Sequence, residues 1–589
     1  MTPRAESSRS GAVIPWRKIL IANRGEIAVR VVKAVRALGA SPVAVYSEAD
    51  RFALHVLRAD EAYCIGAAPA SESYLDIRRI LEAARISQAE AIHPGYGFLS
   101  ENADFAQAVV DAGLVFIGPR PEVIRLMGDK AAAKRLMAEA GVSTIPGYLG
   151  ADQEDSRLRR EAELIGYPLM VKAAAGGGGR GMRVVESAEA LGESLEAARR
   201  EALAAFGDDR LFLEKLLVAP RHIEIQLMAD HHGNIVYLGE RECSIQRRHQ
   251  KVVEEAPSTV IDEDTRVQMG ETAVRGARAA GYTNAGTMEF LWSQGRFYFL
   301  EMNTRIQVEH PVTELVTGID LVKTQIQVAA DRPLPWSQNE IRISGHALEC
   351  RLYAEDPERD FLPQSGVLSA FEVPLPEGMS RVDILRTSEE PCLRVDAGVS
   401  SDSVVPRFYD SLLAKLVVWS PDRPGAIEGM SRVLAGTVVE GIRSNVRFLH
   451  GIVASNRFRA GDTTTAFLEE DYAESGVAFT PRDEVAMAAL AVELLDPKSW
   501  HRPQDSDLVR QVWRLSSAWR IDGVELRRSY VIRTTDEGRQ AEEAWIEVAA
   551  ERLTDSRWSL SVGDRRYPEV TLHVQPSPAN RLPAAVTVF

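Results

Sequence analysis

The most distinctive chemical feature of the sequence is a run of four glycines, Gly176 to Gly179. The apolar segment YPLMVK ends at Lys172 before this run, and Arg180-Gly181 lead into a second apolar segment, MRVV. Because glycine has no Cβ, backbone N–H groups in such a loop can approach a phosphate closely, and the lysine supplies a compensating charge. No Lys-Ser or Lys-Thr follows the glycines, so the pattern is not that of a P-loop. The alternative is a flexible glycine linker, which the two framing strands disfavour.

A second set of polar residues lies in two strand-like segments joined by Ser-Gln-Gly-Arg at residues 293–296. With an odd loop centred on Gly295, Glu289 lies opposite Glu301, and Asn303 faces the same side because side chains alternate along a strand. Two carboxylates and an amide, with no lysine between them, form a hard oxygen site suited to Mg²⁺ on ATP phosphates. The opposite face then carries the core residues Met288, Phe290, Trp292, Tyr298 and Leu300. Surface carboxylates on a hairpin are the alternative.

Three further polar residues, Arg305, Gln307 and Glu309, alternate in the sequence TRIQVEH directly after this hairpin. The guanidinium fork of Arg305 matches a planar oxyanion, and bicarbonate is such a species. Glu309 is then placed to remove a proton as a general base. The alternative is an exposed strand with mixed charges.

A basic stretch, QRRHQK, concentrates Arg247, Arg248, His249 and Lys251 within five positions. In a chain of net charge −15, this is either a solvated stretch or an anion-binding cluster. His249 has no second His or Cys at metal-ligand spacing, so we do not predict zinc. Arg351, in the alternating strand GHALECRLYA, is either a functional cation or a structural ion-pair partner.

The apolar periodicity predicts an α/β framework for these residues. WRKILIAN, the turn RGE, the helical IAVRVVKAVRALG and the strand SPVAVYS form a βαβ unit of a Rossmann-like parallel sheet. No GxGxxG motif accompanies it, so no dinucleotide site is predicted. From residue 506 onward, strand-like segments separated by DG, DEG and GD turns predict a small antiparallel β domain.

The composition excludes several classes of protein. A chain of 589 residues is expected to hold about three to four domains. The net charge of −15 argues against a nucleic-acid binder. Four separated cysteines with no CxxC pair predict a reduced, intracellular protein without a cysteine zinc site. Neither a membrane-length apolar run nor a signal-peptide core occurs, so we expect a cytoplasmic protein that does not contact membranes.

Taken in order, the motifs resemble a known family. They are ILIANRGEIAVR, HPGYGFLSENA, MGDK, KAAAGGGGRGM, RHIEIQ, CSIQRRHQKVVEEAP, GTMEFL, EMNTRIQVEHPVTE and GHALECRLYAEDP. Over about residues 16–460 the chain closely resembles the biotin carboxylases of the ATP-grasp superfamily, which work within acyl-CoA and pyruvate carboxylases.

The resemblance implies an α/β chain of four folded parts after a disordered tail at residues 1–14. They are a Rossmann-like N-terminal domain (15–128), an ATP-grasp domain (129–332, with its lid at about 144–216), a biotin carboxylase C-terminal domain (340–460), and a linker helix with an antiparallel β domain (480–589). That last domain resembles the β-barrel domain that ties carboxylase to carboxyltransferase subunits.

The resemblance also implies residue roles. For ATP it implies that Lys130 and Lys172 contact the phosphates and that Gly178 and Gly179 belong to the lid. The hinge that contacts adenine is implied at Glu214, Lys215, Leu216 and Leu217. Further nucleotide contacts are implied for His222, Gln246 and His249. For the metal it implies Glu289, Glu301 and Asn303. For bicarbonate it implies Lys251, Arg305, Gln307 and the Val308 backbone, with Glu309 as base and Arg351 holding the biotin enolate.

The implied reaction uses ATP, Mg²⁺ (or Mn²⁺) and bicarbonate to carboxylate carrier-bound biotin through carboxyphosphate. The implied partners are a biotin carboxyl carrier protein or domain and a carboxyltransferase (beta) subunit, in a homo- or hetero-oligomer. No Met-Lys-Met biotinylation motif occurs, and the nearest sequence is Met170-Val171-Lys172. The carrier is therefore expected on another chain or on a further C-terminal segment. The segment GMSRVDILRTSEEPCLRVDAG (378–398) is longer than is usual for the family.

Two other interpretations remain. Another ATP-grasp ligase, such as a carbamoyl-phosphate or purine-pathway enzyme, would use the same glycine loop and metal residues, although EMNTRIQVEHPVTE with RRHQKVVEEAP favours biotin. A non-catalytic scaffold subunit would have lost a catalytic lysine, carboxylate or arginine, and all of these are present. The acyl-CoA that finally accepts the carboxyl group is not specified by this sequence.

Overall fold

The computed structural model describes residues 14–173, 182–248 and 250–470, together with the backbone of five strands between 525 and 588. The predicted tail up to residue 13, the lid residues Gly178 and Gly179, His249 and the predicted linker helix lie outside the described residues. Ile14, assigned to the tail by the sequence analysis, is buried in the core of the first domain. Contacts divide the chain into two units, residues 1–434 with 439–474, and residues 435–438 with 475–589.

The first domain is a parallel five-stranded sheet in the order β3-β2-β1-β4-β5, flanked by helices. Its elements are β1 (Lys18–Ile21), α1 (Gly25–Ala37), β2 (Ser41–Ser47), α2 (Leu54–Arg58), β3 (Glu61–Gly66), α3 (Ile77–Ser87), β4 (Ala91–His93), α4 (Ala103–Asp111), β5 (Val115–Phe116) and α5 (Pro121–Gly128). Ile27, Val31 and Val35 recur at helical spacing in α1 and are buried with β1. The predicted Rossmann-like sheet is therefore confirmed.

A small antiparallel sheet follows, which we call the lid sheet; its order is β6-β9-β7-β8. The elements of this part are α6 (Lys130–Glu139), β6 (Gly147–Tyr148), α7 (Asp155–Ile165), β7 (Leu169–Ala173), β8 (Met182–Val185), α8 (Ala188–Phe206) and β9 (Leu211–Lys215). Alternate residues of β7, Leu169 and Val171, are buried against Leu158 of α7 and Leu195 of α8. The sheet thus has its own core, and the Lys172 side chain lies on the other face of β7.

A nine-stranded sheet carries most of the polar residues singled out above, in the order β14-β13-β10-β11-β12-β15-β23-β21-β20. The elements up to residue 329 are β10 (Arg221–Ala229), β11 (Ile235–Arg247), β12 (Gln250–Ala256), α9 (Glu263–Ala279), β13 (Asn284–Ser293), β14 (Arg296–Asn303), α10 (His310–Thr317) and α11 (Leu321–Ala329). Strand β12 pairs with β15 (His346–Tyr353), which lies beyond the predicted boundary at residues 332–340. The two predicted domains therefore share one sheet.

The remaining elements belong to the C-terminal part and the tail. They are β16 (Glu355–Asp356), β17 (Leu362–Pro363), β18 (Gly366–Val367), β19 (Ala370–Glu372), β20 (Ser380–Val382), β21 (Cys392–Ala397), β22 (Val404–Val405), β23 (Leu412–Ser420), α12 (Arg423–Ala435), β24 (Val438–Glu440), α13 (Val446–Ala454), α14 (Asn456–Arg459), β25 (Glu525–Thr534), β26 (Glu542–Arg552), β27 (Arg557–Val562), β28 (Arg565–Gln575) and β29 (Ala585–Val588). Strands β25 to β29 form an antiparallel sheet in chain order, as predicted for the tail. Among the described residues, no helix is both long and apolar enough to cross a membrane.

The β13–β14 hairpin differs from its prediction in one respect that matters for the site. Its turn has two residues, Gln294 and Gly295, both at positive φ, so Ser293 pairs with Arg296 and Phe290 with Phe299. A bulge next to Phe290 then brings Glu289 opposite Glu301. The predicted pairing of the two carboxylates is confirmed, but the odd loop was wrong.

The bulge also changes which aromatic residues of β14 are in the core. Phe297 and Phe299 pack with Met288 and Phe290, in the places predicted for Tyr298 and Leu300. Because the turn has an even number of residues, the side chains of β14 between the turn and the bulge point to the faces opposite to those predicted. The bulge adds one residue, so from Glu301 onward the side chains point to the predicted faces.

A buried charge network ties the N-terminal domain to the sheet. Arg30 and Arg394 both donate to Glu314, over 2.9 and 2.7 Å, and all three side chains are at most 1% exposed. Arg394 also forms a two-pronged pair with Asp396, at 3.0 and 2.6 Å. Each anion in this network has a cation within hydrogen-bond distance, which offsets the cost of burying it.

We expect Arg394→Met to destabilise the protein strongly, because it leaves the Asp396 carboxylate without its bidentate partner in the interior. Removing one partner of a buried ion pair costs about 3–5 kcal/mol. Thermal and urea unfolding of the two proteins would measure the loss. Arg432→Met is a matched control, because that guanidinium is exposed and bonds only one carbonyl, that of Glu377, in the contacts described. Equal stability of both variants would contradict the role given to the network.

Candidate active site

Lys251, at the start of β12, lies at the centre of the polar cluster. Its ammonium group donates to Glu224 at 2.6 Å, to Glu289 at 3.0 Å and to Glu309 at 2.6 Å. Burial would lower the pKa of Lys251, but the three carboxylates outweigh it and raise that pKa well above its usual range. The lysine is therefore charged, and it bonds Glu289, one of the two hairpin carboxylates between which no lysine was predicted.

Glu309 sits at the N-cap of α10, at the end of a loop that follows β14. The alternative of an exposed strand over residues 305 to 309 was wrong, since β14 ends at Asn303. One carboxylate oxygen of Glu309 accepts from Lys251, and the other accepts from Arg351 at 2.8 Å. Although burial works in the opposite direction, these cations hold the pKa of Glu309 well below its usual range. Glu309 is thus ionised and held between two cations.

Arg351, on β15, is fixed from three sides. Its Nε lies 2.5 Å from Glu254, its Nη2 bonds Glu309, and its carbonyl accepts from Asn445 at 3.0 Å. Burial raises the pKa of Glu254 to about 7 against the opposing effect of Arg351, and the charge of Glu309 adds to the rise. Glu349 lies directly across from Glu254 in the β12–β15 pairing. Arg351 is therefore an ion-pair partner, as the sequence alternative stated, and it also faces the Lys251 cluster.

Arg305 and Gln307 lie in the loop between β14 and α10. The Arg305 guanidinium donates to Glu101 at 2.9 Å and to the Asn303 oxygen at 3.1 Å, and the Gln307 amide donates to Glu289 at 2.9 Å. Glu101 comes from the first domain, in the quoted motif HPGYGFLSENA. The loop is therefore held by Glu101 of the first domain on one side and by the hairpin residues Asn303 and Glu289 on the other. An exposed strand would not have these contacts.

Three oxygen-bearing side chains lie together at the hairpin, as predicted. Glu289 faces Glu301 across the strand pair, and Asn303 donates its amide to Glu289 at 2.9 Å. Partial burial raises the pKa of Glu301, whose side chain is 42% exposed, and the charge of Glu289 raises it further, so a cation beside Glu301 would be stabilising. Carboxylate and amide oxygens are ligands that Mg²⁺ prefers. These residues fit a divalent cation.

The nucleotide contacts predicted near β10 are partly brought to the same place. His222 places Nε2 3.0 Å from Glu289, and its Nδ1 lies 2.8 Å from the Gln246 amide. Lys130, at the start of α6, has its ammonium 3.8 Å from Glu301. These contacts join the predicted ATP residues to the predicted metal ligands.

At the lid sheet, Lys172 lies 2.5 Å from the Glu214 carboxylate, and Lys134 of α6 contacts the same carboxylate. The Lys215 side chain points elsewhere, because its ammonium donates to the carbonyl of Tyr167 at 2.9 Å. The backbone N–H of Leu216 donates to Pro168 at 3.2 Å. The Lys215 ammonium is thus directed away from Glu214, and the roles of Lys215 and Leu216 toward a nucleotide stay predictions.

Two arginines of the basic stretch do not join the cluster. Arg247 pairs with Glu355 at 3.0 Å, and Arg248 with Asp360 at 2.7 Å, so both contact the segment of β16 and β17. Of Arg247, Arg248 and Lys251, the structure brings Lys251 to the cluster, and binding of an anion by this lysine stays a prediction. The carbonyl of Val308 accepts from Lys415 at 2.9 Å. Its role as a backbone contact stays a prediction.

Four charged residues of the site were not identified from the sequence, namely Glu101, Lys134, Glu224 and Glu254. The alternation in RHIEIQ would have placed Glu224 on the same face as His222. The partners of the other three lie far away in the chain, and Glu101 bonds a residue 204 positions later. Periodicity carries no signal for such pairs.

Comparison with known proteins gives matches along most of the chain. Family models described as "Biotin carboxylase, N-terminal domain", "Carbamoyl-phosphate synthase L chain, ATP binding domain" and "Biotin carboxylase C-terminal domain" match residues 15–124, 129–337 and 349–470.

Individual relatives agree with the family models. The chain is 48% identical over 523 residues to the propionyl-CoA carboxylase alpha chain of Ruegeria pomeroyi, covering 87% of this chain and 75% of that one. It is 50% identical over 454 residues to the biotin carboxylase of Allochromatium vinosum, and the match covers 77% of this chain and 98% of that protein. A solved structure of the biotin carboxylase domain of 2-oxoglutarate carboxylase from Hydrogenobacter thermophilus, with MgADP, ADP and bicarbonate, is 46% identical with a TM-score of 0.72, covering 78% and 98%.

We expect Glu301→Gln to raise the Mg²⁺ concentration needed for ATP cleavage and to lower the maximal rate by about 10²–10³-fold. The stability of the protein without ligands should change little, because the Glu301 side chain is 42% exposed and its carboxylate lies 3.8 Å from the Lys130 ammonium, the nearest cation described. Phosphate release as a function of Mg²⁺ gives both values, and the melting temperature gives the fold. Glu122→Gln, on the exposed surface of α5, serves as control. A wild-type rate at saturating Mg²⁺ would reject Glu301 as a ligand.

Proposed function

Because the chain belongs to the biotin carboxylase family, and so catalyses the carboxylation of biotin by bicarbonate with MgATP, we propose that the cluster around Lys251 is where both steps occur. One observation carries this proposal. The two oxygens of Glu309 are held by Lys251 on one side and Arg351 on the other. A single carboxylate thereby joins a cation suited to bicarbonate with a cation suited to the biotin enolate.

In the first step, bicarbonate is held by Lys251 and Arg305 and loses its proton to Glu309. A carboxylate whose pKa is held low by two cations is a weak base. When Lys251 turns toward the bicarbonate anion, it withdraws part of its charge from Glu309, and the proton affinity of that carboxylate rises. Substrate binding thus activates the base, and the deprotonated bicarbonate attacks the γ-phosphate of ATP to form carboxyphosphate.

The ATP end is served by residues that adjoin this cluster. Lys130 and Lys172 are the proposed phosphate cations, with His222 and Gln246 beside them, and Glu289, Glu301 and Asn303 are the proposed metal ligands. A divalent cation bound there offsets negative charge on the phosphate oxygens. The links from Glu289 to Lys251, Asn303 and Gln307 support this, because one carboxylate connects the phosphate end to the bicarbonate end.

In the second step, carboxyphosphate yields CO₂ and phosphate, the phosphate removes the N1′ proton of biotin, and the biotin enolate captures CO₂. Arg351 is proposed to stabilise the enolate oxygen. Its Nε is already paired with Glu254, so the guanidinium is oriented before biotin arrives. Glu309 releases Nη2 as it becomes protonated, which frees that donor for the enolate.

The proposal extends to partners and location. Homologues named as acyl-CoA carboxylase alpha chains support a biotin carrier and a carboxyltransferase subunit as partners. Pyruvate and 2-oxoglutarate carboxylases among the similar structures leave the final acceptor open. We place the reaction in the cytoplasm and the chain in a homo- or hetero-oligomer.

A paired assay tests the division of labour between the two arginines. Arg305→Ala should lose both bicarbonate-dependent ATP cleavage without biotin and carboxylation of free biotin, because bicarbonate is no longer held. Arg351→Ala should lose carboxybiotin formation by about 10²–10³-fold and keep much of the ATP cleavage. Equal losses of both activities in Arg351→Ala would return that arginine to a purely structural role.

The second experiment separates the catalytic part from the tail. A chain ending at residue 474 should carboxylate free biotin at a rate close to that of the full chain. The reason is that the segment up to residue 470 is fastened to the body, with Arg457 pairing with Glu470 at 2.6 Å and the Thr465 N–H donating to the Pro220 carbonyl at 2.9 Å. The truncated chain should fail to assemble with a carboxyltransferase subunit in size-exclusion chromatography. Loss of free-biotin activity in a folded truncation would show instead that the tail completes the site.

A further inference from the structure

We propose that Lys134 is the resident counter-ion of Glu214 and keeps the nucleotide pocket electrically balanced when Lys172 turns to an ATP phosphate. The inference rests on the proposed assignment of Lys172 to ATP. It assigns a positioning role to a lysine that no motif or sequence pattern above singled out.

The geometry begins with one carboxylate and two lysines. Glu214 lies on β9 of the lid sheet with its side chain 2% exposed, and its two oxygens face two different cations. Lys172 of β7 approaches Oε2 at 2.5 Å, and Lys134 of α6 contacts Oε1. Both ammonium groups also lie over the ring of Phe212, 5.3 and 5.9 Å from its centroid for Lys134 and Lys172. Two lysines thus share a single carboxylate.

The two lysines differ in how firmly they are held. The Lys134 side chain is 5% exposed and rises from a helix that packs against α5, α9 and β14. The Lys172 side chain is 17% exposed and lies on the face of β7 opposite the buried Leu169 and Val171. Lys172 is therefore the cation that can move to a phosphate, whereas Lys134 stays with Glu214.

The electrostatic consequence is specific to the ATP-bound state. Without Lys134, the departure of Lys172 would leave a buried carboxylate unpaired close to the negative charge of the triphosphate, which is strongly unfavourable. With Lys134 in place, Glu214 remains neutralised and Lys172 can be used fully for the nucleotide. In the free enzyme either lysine satisfies Glu214, so the loss of Lys134 should appear in ATP binding rather than in folding.

The test is Lys134→Met in the full chain, with ATP cleavage measured at saturating bicarbonate and Mg²⁺. We expect the KM for ATP to rise roughly 10- to 100-fold. The maximal rate and the KM for free biotin should stay within about threefold of wild type. The reason is that Lys134 contacts neither the transferring phosphoryl group nor biotin in the proposed mechanism. The melting temperature without ATP should be close to that of wild type. Arg135→Met, one position further along the same helix and exposed, is the matched control.

A double variant separates charge balance from simple packing. In Glu214→Gln the carboxylate is gone, so adding Lys134→Met to it should change the KM for ATP by less than about threefold. Lys134→Arg should restore most of the ATP affinity lost in Lys134→Met. An unchanged KM for ATP in Lys134→Met, or the same further loss in the Glu214→Gln background, overturns the inference. If Lys134→Met does not fold, Lys134→Gln carries the same expectation.

Lys172→Met in the same assay distinguishes this inference from the proposed function. Normal ATP cleavage by Lys172→Met would remove the proposed ATP site itself. Loss of ATP cleavage in Lys172→Met beside a normal KM in Lys134→Met would remove only the counter-ion role.

Discussion

The rest of the site depends on one interaction, the burial of the Lys251 ammonium among three carboxylates. Glu224, Glu289 and Glu309 come from β10, from β13 and from the N-cap of α10, so the lysine brings three separate elements to one point. Carboxylates so deeply buried would be unfavourable without a nearby cation. Arg241 also pairs with Glu224, and Arg351 with Glu309, so three cations face the three carboxylates. An arriving anion or metal ion therefore changes the balance at several side chains together.

A continuous sheet turns this cluster into a site with two ends. Strands β12 and β15 are neighbours, so Lys251 and Arg351 rise from adjacent strands of one sheet although they are a hundred positions apart. Glu289 connects the cluster to the hairpin carboxylates at the proposed phosphate end, and Glu309 connects it to Arg351 at the proposed biotin end. In the proposed mechanism, proton transfer at Glu309 changes the hydrogen bonding of Arg351 directly. The proposed mechanism thus couples its two steps through one carboxylate.

The features of the fold and site that could be predicted from the sequence are those set by residues close together in the chain. The parallel sheet was predictable from apolar periodicity, and the facing of Glu289 and Glu301 from strand alternation. The bulge beside Phe290 was not, because a single extra residue leaves no mark in the apolar pattern. The loop that carries Arg305 and Glu309 alternates as a strand would, yet it turns into a helix. Pairs such as Arg305 with Glu101, or Lys134 with Glu214, are set by the tertiary fold, so the spacing of residues in the sequence does not predict them.

The most direct measurement of the account is the activity of Lys251→Gln, which removes the central charge and keeps a hydrogen-bonding side chain. Phosphate release in the presence of bicarbonate and carboxylation of free biotin would be measured on one preparation, together with binding of ATP. The account predicts that both activities fall by about 10²–10³-fold while ATP still binds, because bicarbonate is no longer held beside Glu309. Substantial bicarbonate-dependent ATP cleavage in a folded Lys251→Gln enzyme would contradict it.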